Sequence, residues 1–214
     1  TASSSSVDTM TDQTSAAPAR PLRQRINLPV ITAFGCIVLL LGVGSLYSPN
    51  FLSPEYLLLQ LKVGAFLGII ATGMMLVILI GQIDLSVPWT VAVGAMMASA
   101  ATAYGGMGEV FSIPFGVLCG VLIGLVNGFA VAYLRIPSMI ITLAVNSVAQ
   151  GLMVAYTGGF APQDSASPAM KFLAAQSSFG VPHAVIVWVV VGALAVFLLT
   201  RTTFGRSVYG IGNK

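Results

Sequence analysis

Long apolar runs recur along the chain with few polar positions inside them, at about 28–47, 62–80, 89–104, 114–134, 138–157 and 184–200. A helix needs about 20 residues to cross a hydrocarbon core of about 30 Å, and each run comes near that length. The runs are apolar throughout and do not alternate in polarity as the strands of a spanning barrel would. The pattern therefore predicts an all-α fold, a polytopic transmembrane helix bundle with about six spans.

Between the second and third runs the pattern is interrupted by Gly81-Gln82-Ile83-Asp84-Leu85-Ser86-Val87-Pro88. Gly81 and Pro88 are poor residues for a helix interior, and Ser86 can satisfy backbone groups freed by a break. An ionisable side chain at membrane depth costs about 2.5 to 3.5 kcal/mol on insertion scales, so Asp84 demands a reason. The structural reading is that Asp84 caps the first turn of the following helix, where backbone amides and the helix dipole hold a negative charge. The functional reading gives it a part in gating or subunit contact.

Composition agrees with the pattern. Of 214 residues, 57% are hydrophobic and 7% charged, and the mean hydropathy is +0.95, whereas soluble domains carry about a quarter charged residues. The net charge of +3 comes from too few groups to make a nucleic-acid footprint. Residues 1–26, rich in Ser, Thr, Ala and Pro, read as a disordered tail. A cleaved secretory signal would place its apolar region closer to the start, so the first run is expected to be retained; the missing initial Met suggests a trimmed sequence. With that tail cytoplasmic, Arg20, Arg23, Arg25, Arg135, Arg201, Arg206 and Lys214 fall on the cytoplasmic side and only Lys62 and Lys171 outside, as the positive-inside rule requires. The largest outer connection runs from Gly158 to Pro182.

Gly116, Gly120, Gly124 and Gly128 recur every four residues and predict a flat stripe for close helix packing, with a weaker echo at Gly64 and Gly68. Asn127, Asn146 and Gln150 are candidates for interhelical hydrogen bonds or for lining a pathway. Cys36 and Cys119 sit in apolar runs without partners at ligand spacing and read as buried thiols; His183 reads as an interfacial histidine. No phosphate-binding loop, zinc-protease motif, serine elbow or pair of membrane aspartates is present, so neither catalytic nor metal-binding nor cofactor-binding residues are assigned. Any ATP must be bound by another chain.

Three stretches resemble the inner-membrane permease family of bacterial ABC importers for ribose and related sugars: "GMMLVILIGQIDLSVP" (73–88), "GLVNGFAVAYLRIPSMIITLAVNSVAQGLMVAYTGG" (124–159) and "TRTTFGRSVYGIGNK" (200–214), with "NFLSPEYLLLQL" (50–61) fitting as well. Gln82 and Pro88 stand where that family has glycines flanking Ile-Asp-Leu-Ser-Val, and the last element has one Gly where two are usual. The resemblance implies a permease domain over 27–214 that corresponds to the N-terminal two thirds of a family member. It further implies a second permease subunit, identical or related, a cytoplasmic ABC ATPase and a periplasmic sugar-binding protein as partners, besides membrane lipid. Gly205, Arg206, Tyr209, Gly212 and Asn213 lie in the element that leads, in the family, to the ATPase-docking segment. The rival readings are an ion-coupled secondary carrier with its site at the helix break and a non-transporting membrane scaffold subunit.

Overall fold

The computed structural model describes residues 28–103, 105–160 and 164–212. The N-terminal tail with Arg20, Arg23 and Arg25, and the terminal pair Asn213 and Lys214, lie outside the described residues. The chain divides into two units, one ending at Leu52 and the other beginning at Ser53.

The first unit holds helix α1, Leu28–Tyr47, and a 3-10 turn, Pro49–Leu52. None of the residues of α1 is buried. Its apolar surface runs all round the helix, as befits a segment solvated by lipid. Cys36 is consequently exposed, which corrects the expectation of a buried thiol. After α1 the chain turns sharply: the Ser48 amide donates to the Gly44 carbonyl at 3.1 Å, and a Cβ at Gly44 would lie 2.5 Å from the Phe51 ring.

Among its described residues the second unit holds seven helices: α2 (Pro54–Leu79), α3 (Val87–Thr102), α4 (Met107–Ala132), α5 (Ser138–Thr157), α6 (Pro168–Ala175), α7 (His183–Arg201) and α8 (Thr203–Gly212). Four of these, with α1, are long and apolar enough to cross a membrane, while α3 has 16 residues and is shorter. Two helices start earlier than hydropathy predicts. Ser53 caps α2, its hydroxyl accepting from the Tyr56 amide at 3.2 Å, and Pro54 occupies the first helical position, where its missing N–H costs nothing. Helix α4 begins at Met107 and carries Pro114 inside it, a placement that membrane helices tolerate because neighbouring groups take over the freed carbonyl. Hydroxyls on the helices are mostly turned back on their own backbone, as at Thr102 to Ala98 O (3.1 Å) and Thr200 to Val196 O (2.7 Å).

Helix α3 packs mainly on α4 and also on α5; α2 packs on α7; and α8 closes on α7 and on α2. The core of the first group gathers Val93, Ala149 and Met153, with Trp89, Met96, Met97, Ile123 and the half-buried Cys119 around them. Gly116 sits at the closest α3–α4 approach, since a Cβ there would stand 2.6 Å from the Gly94 carbonyl oxygen and 3.0 Å from the Ala98 Cβ. In the second group the Trp188 ring lies against Gly68, in the space that a Cβ would need.

The long connection between α5 and α7 is built rather than loose over its described part. It contains α6 and a two-stranded hairpin, Ser177–Ser178 with Val181–Pro182, neither of which the hydropathy pattern announces. His183, the first residue of α7, organises it and is buried at 7% exposure. The carbonyl of Phe172 can only accept, so Nδ1 of His183 donates to it (2.9 Å), and Nε2 is hydrogen-bonded to the Ser178 hydroxyl at 2.7 Å. The Phe172 ring lies 4.4 Å from the imidazole. Lys62 on α2 donates to the carbonyl of Ala175, the last residue of α6, at 2.8 Å, and the hydroxyls of Ser112 on α4 and of Ser167, the cap of α6, are buried 2.9 Å apart.

Candidate functional site

The predicted interruption at 81–88 is a true helix break. Helix α2 ends in a Schellman closure: the Gly81 amide donates to Ile78 O at 2.9 Å and the Gln82 amide to Val77 O at 3.2 Å. That closure requires a left-handed residue, and Gly81 supplies it at φ +76°. Residues 82–86 then run without regular structure to the first turn of α3, and their backbone amides need partners.

Helix α5 provides them. Ser138 Oγ accepts from the Ile83 amide (3.3 Å), Thr142 Oγ1 from the Leu85 amide (3.0 Å) and Asn146 Oδ1 from the Trp89 amide (3.3 Å). The three acceptors are spaced by four residues, so they form one stripe on the helix. The stripe catches the amides of Ile83 and Leu85 in the break and of Trp89 at the third position of α3. This is where the expectation for Asp84 changes. The carboxylate does not cap the first turn of α3; its Oδ1 accepts from the Ser86 amide at 2.8 Å and from the Ser86 hydroxyl at 2.6 Å. Capping of the turn has passed to Asn146, because Asp84 stands two residues before Ser86, the cap residue of α3, and closes a tight local turn instead.

Ser86 is buried at 2% exposure, and its single hydroxyl hydrogen goes to Asp84. Towards Asn127 it must therefore accept, and the Asn127 Nδ2 donates to it at 2.8 Å. The direction of this chain of bonds fixes which way the Asn127 amide points. It leaves Asn127 Oδ1 buried with no hydrogen-bond partner, a state that costs about 1–3 kcal/mol.

A cavity of about 420 Å³ lies beside these groups, lined by Val77 and Ile80 at the end of α2, by Gln82, Ile83 and Asp84 in the break, by Gly124, Asn127, Gly128, Val131 and Ala132 on α4, and by Ser138 and Thr142 on α5. Its walls divide the expected glycine stripe. Gly116 packs on α3 and Gly120 touches Thr90 at an ordinary 3.8 Å, whereas Gly124 and Gly128 have no atom within 4 Å of a would-be Cβ and border the cavity.

Of the polar candidates, Asp84, Ser86 and Asn127 are hydrogen-bonded together, Gln82 lines the cavity with Asp84 and Asn127, and Asn146 holds the Trp89 amide instead. Pro88 is exposed and lies outside the hydrogen-bonded group, and Gln150, one more step along the α5 stripe, is exposed as well. Ser138 and Thr142 were missed by the sequence reading. Their signal was the spacing 138, 142, 146, 150, visible once polar positions are counted along one helix face.

At the same end of the bundle, Gly212 of α8 abuts the Leu79 carbonyl, and Gly205 abuts the Leu199 carbonyl, each in the space a Cβ would fill. Helix α8 buries Gly205 and Val208 and exposes Phe204, Arg206, Tyr209 and Ile211. No group of three or more His, Cys, Asp or Glu side chains collects among the described residues.

Several apolar spans, a helix broken around a carboxylate and neutral polar groups, and a cavity at the break define a multi-pass membrane protein of the permease kind. The profile of the family described as "branched-chain amino acid transport system / permease component" matches residues 56–214, and the chain belongs to that family, whose members are transport components and not enzymes. The chain is 36% identical over 171 residues to the L-arabinose ABC transporter permease protein AraH of Azospirillum brasilense, covering 79% of this chain and 50% of that protein. It is 30% identical over 186 residues to the ribose import permease protein RbsC of Haemophilus influenzae, covering 85% and 57%. With the autoinducer 2 import system permease protein LsrC of an Escherichia coli strain it shares 31% identity over 189 residues, covering 86% and 53%. The chain thus spans about half the length of these curated relatives. No solved structure matches it.

Proposed function

We propose that the chain is part of the membrane-spanning subunit of an ATP-binding-cassette importer that moves a sugar or similar neutral, hydroxyl-rich solute across the bacterial inner membrane. The observation that carries this reading is the chemistry of the cavity at the helix break. Its polar groups are amides, hydroxyls and one carboxylate, and that carboxylate is already engaged by Ser86. A branched-chain amino acid would bring paired charges and need a cation for its carboxylate; Lys and Arg are missing from the lining. A pentose needs only hydrogen bonds, and the names of the arabinose and ribose relatives point the same way.

In this reading the work of ATP falls to separate cytoplasmic subunits, solute is delivered by a periplasmic binding protein, and a second permease subunit, identical or related, completes the pathway. The N-terminus is cytoplasmic. That places the break, the α4–α5 turn with Arg135, and α8 on the cytoplasmic side, where the exposed Arg206 and Tyr209 of α8 face the ATPase. Asp84, Gly81 and Ser86 belong to a hinge that lets α2 and α3 move separately around the solute.

The test is uptake of labelled L-arabinose and D-ribose into proteoliposomes holding the full-length permease with its cognate ATPase. Uptake that requires both ATP and the binding protein is expected. Uptake driven by an ion gradient without ATP would instead establish a secondary carrier.

A further inference from the structure

We infer that the small cavity between the start of α2 and the hairpin that precedes α7 binds the headgroup of a zwitterionic phospholipid whose ammonium keeps its hydrogens, phosphatidylethanolamine. It lies at the end of α2 opposite the helix break and does not depend on which solute is transported. Its volume is about 190 Å³; Glu55, Leu58, Leu59 and Lys62 of α2 form one wall, and the hairpin, with Ser177, forms the other.

Positions 55, 58, 59 and 62 follow helical spacing and share one face of α2. Glu55 stands in the first turn, and Lys62 lies two turns, about 10.5 Å, further along the axis, towards the middle of a helix long enough to cross the membrane. Side chains lean towards a helix N-terminus, so the Lys62 ammonium is carried back towards the membrane face. There it donates to the Ala175 carbonyl at 2.8 Å, with two hydrogens left to give. The Glu55 carboxylate faces the same cavity and has no partner among the described residues.

Two unpaired charges of opposite sign select the ligand. A simple anion would meet Glu55, a simple cation would meet Lys62, and a neutral polyol would leave both without a counter-charge. A zwitterion serves both. A free amino acid carries its charges on one carbon, too close together for groups two turns apart, whereas a phosphoethanolamine group sets them at the ends of a flexible link. The order along α2 is also that of a lipid, with the ammonium nearest water, the phosphate beneath it and the chains below. Glu55 comes first, Lys62 second with the Ser177 hydroxyl as a further donor, and Phe66, four residues deeper on the same face, is exposed for an acyl chain to lie against.

The test places a reporter on the cavity wall and leaves both charges intact. Leu58→Cys is introduced into the full-length permease freed of its other cysteines, and its modification by a small neutral thiol reagent is timed in detergent micelles doped with lipid. Phosphatidylethanolamine is expected to slow the reaction at a lower mole fraction than phosphatidylcholine, which has no N–H for Glu55, or phosphatidylglycerol, which has no ammonium. Adding Glu55→Gln is expected to raise the half-protecting mole fraction of phosphatidylethanolamine by about two- to fivefold, the range for an exposed charge pair, and to leave phosphatidylcholine unchanged. Equal protection by the three lipids would overturn the proposal, as would a preference that survives Glu55→Gln. Protection by millimolar phosphoethanolamine as strong as that by the lipid would also overturn it, in favour of a soluble zwitterion.

Discussion

Asp84 carries a lesson about single residues. A carboxylate in a membrane segment advertises itself in sequence, and the break around it was legible from Gly81 and Pro88. What the sequence did not show was the direction of the bonds. Oδ1 of Asp84 accepts two hydrogen bonds from Ser86, and this commits the Ser86 hydrogen and so turns the Asn127 amide. One hydrogen thus orients Ser86 and, 41 residues further on, Asn127. Asp84→Ala is therefore expected to lower thermal stability in detergent by about 1–3 kcal/mol, because the buried Ser86 loses its charged acceptor. Asp84→Asn keeps an oxygen in place and is expected to lose less than half of that. Equal loss in the two variants would show that the charge, and not the turn, is what matters.

At the level of elements, hydropathy located every long helix but set two of their starts late and passed over three shorter features. The reason is physical. Hydropathy reports what lipid surrounds, whereas α6, the hairpin and α8 are held by local polar devices: the His183 bonds, Lys62 on the end of α6, and glycines at 205 and 212 that admit a neighbouring carbonyl. The start of α2 was written in Ser53-Pro54, a cap followed by a first-turn proline. The glycine stripe of α4 read as one packing surface and proved to be two surfaces joined end to end. That division predicts opposite outcomes for similar changes. Gly116→Val, which must displace the Gly94 carbonyl, is expected to cost about 1–3 kcal/mol. Gly124→Ala meets nothing within 4 Å and is expected to be neutral or to stabilise by up to about 1 kcal/mol through helix propensity. Thermal unfolding of the two variants in the same detergent provides the measurement.

For the whole molecule, the proposed orientation in the membrane can be tested on the fold as a unit. The helix break, the α4–α5 turn and the α8 contact with Leu79 belong to one end of the bundle, and the α6–hairpin assembly fastened by Lys62 and His183 belongs to the other. Arg135→Cys is expected to react with an impermeant thiol reagent only from the cytoplasmic side, and Gln176→Cys only from the periplasmic side, in the background lacking Cys36 and Cys119. Reaction of Arg135→Cys from the periplasm would invert the topology and with it the proposed faces for ATPase and binding protein.

The stripe on α5 has one more implication. Ser138, Thr142 and Asn146 grip only main-chain N–H groups, so the identity of the gripped residues is immaterial to the grip. Ile83 and Leu85 are exposed, and a saturation scan should find most replacements at 83 and 85 tolerated, with proline the exception because it has no hydrogen to offer; proline at either site is expected to cost about 1–3 kcal/mol. The memorable letters of the break are thus in part a handle without a lock. The instructions for shaping that segment are stored on a helix more than fifty residues downstream.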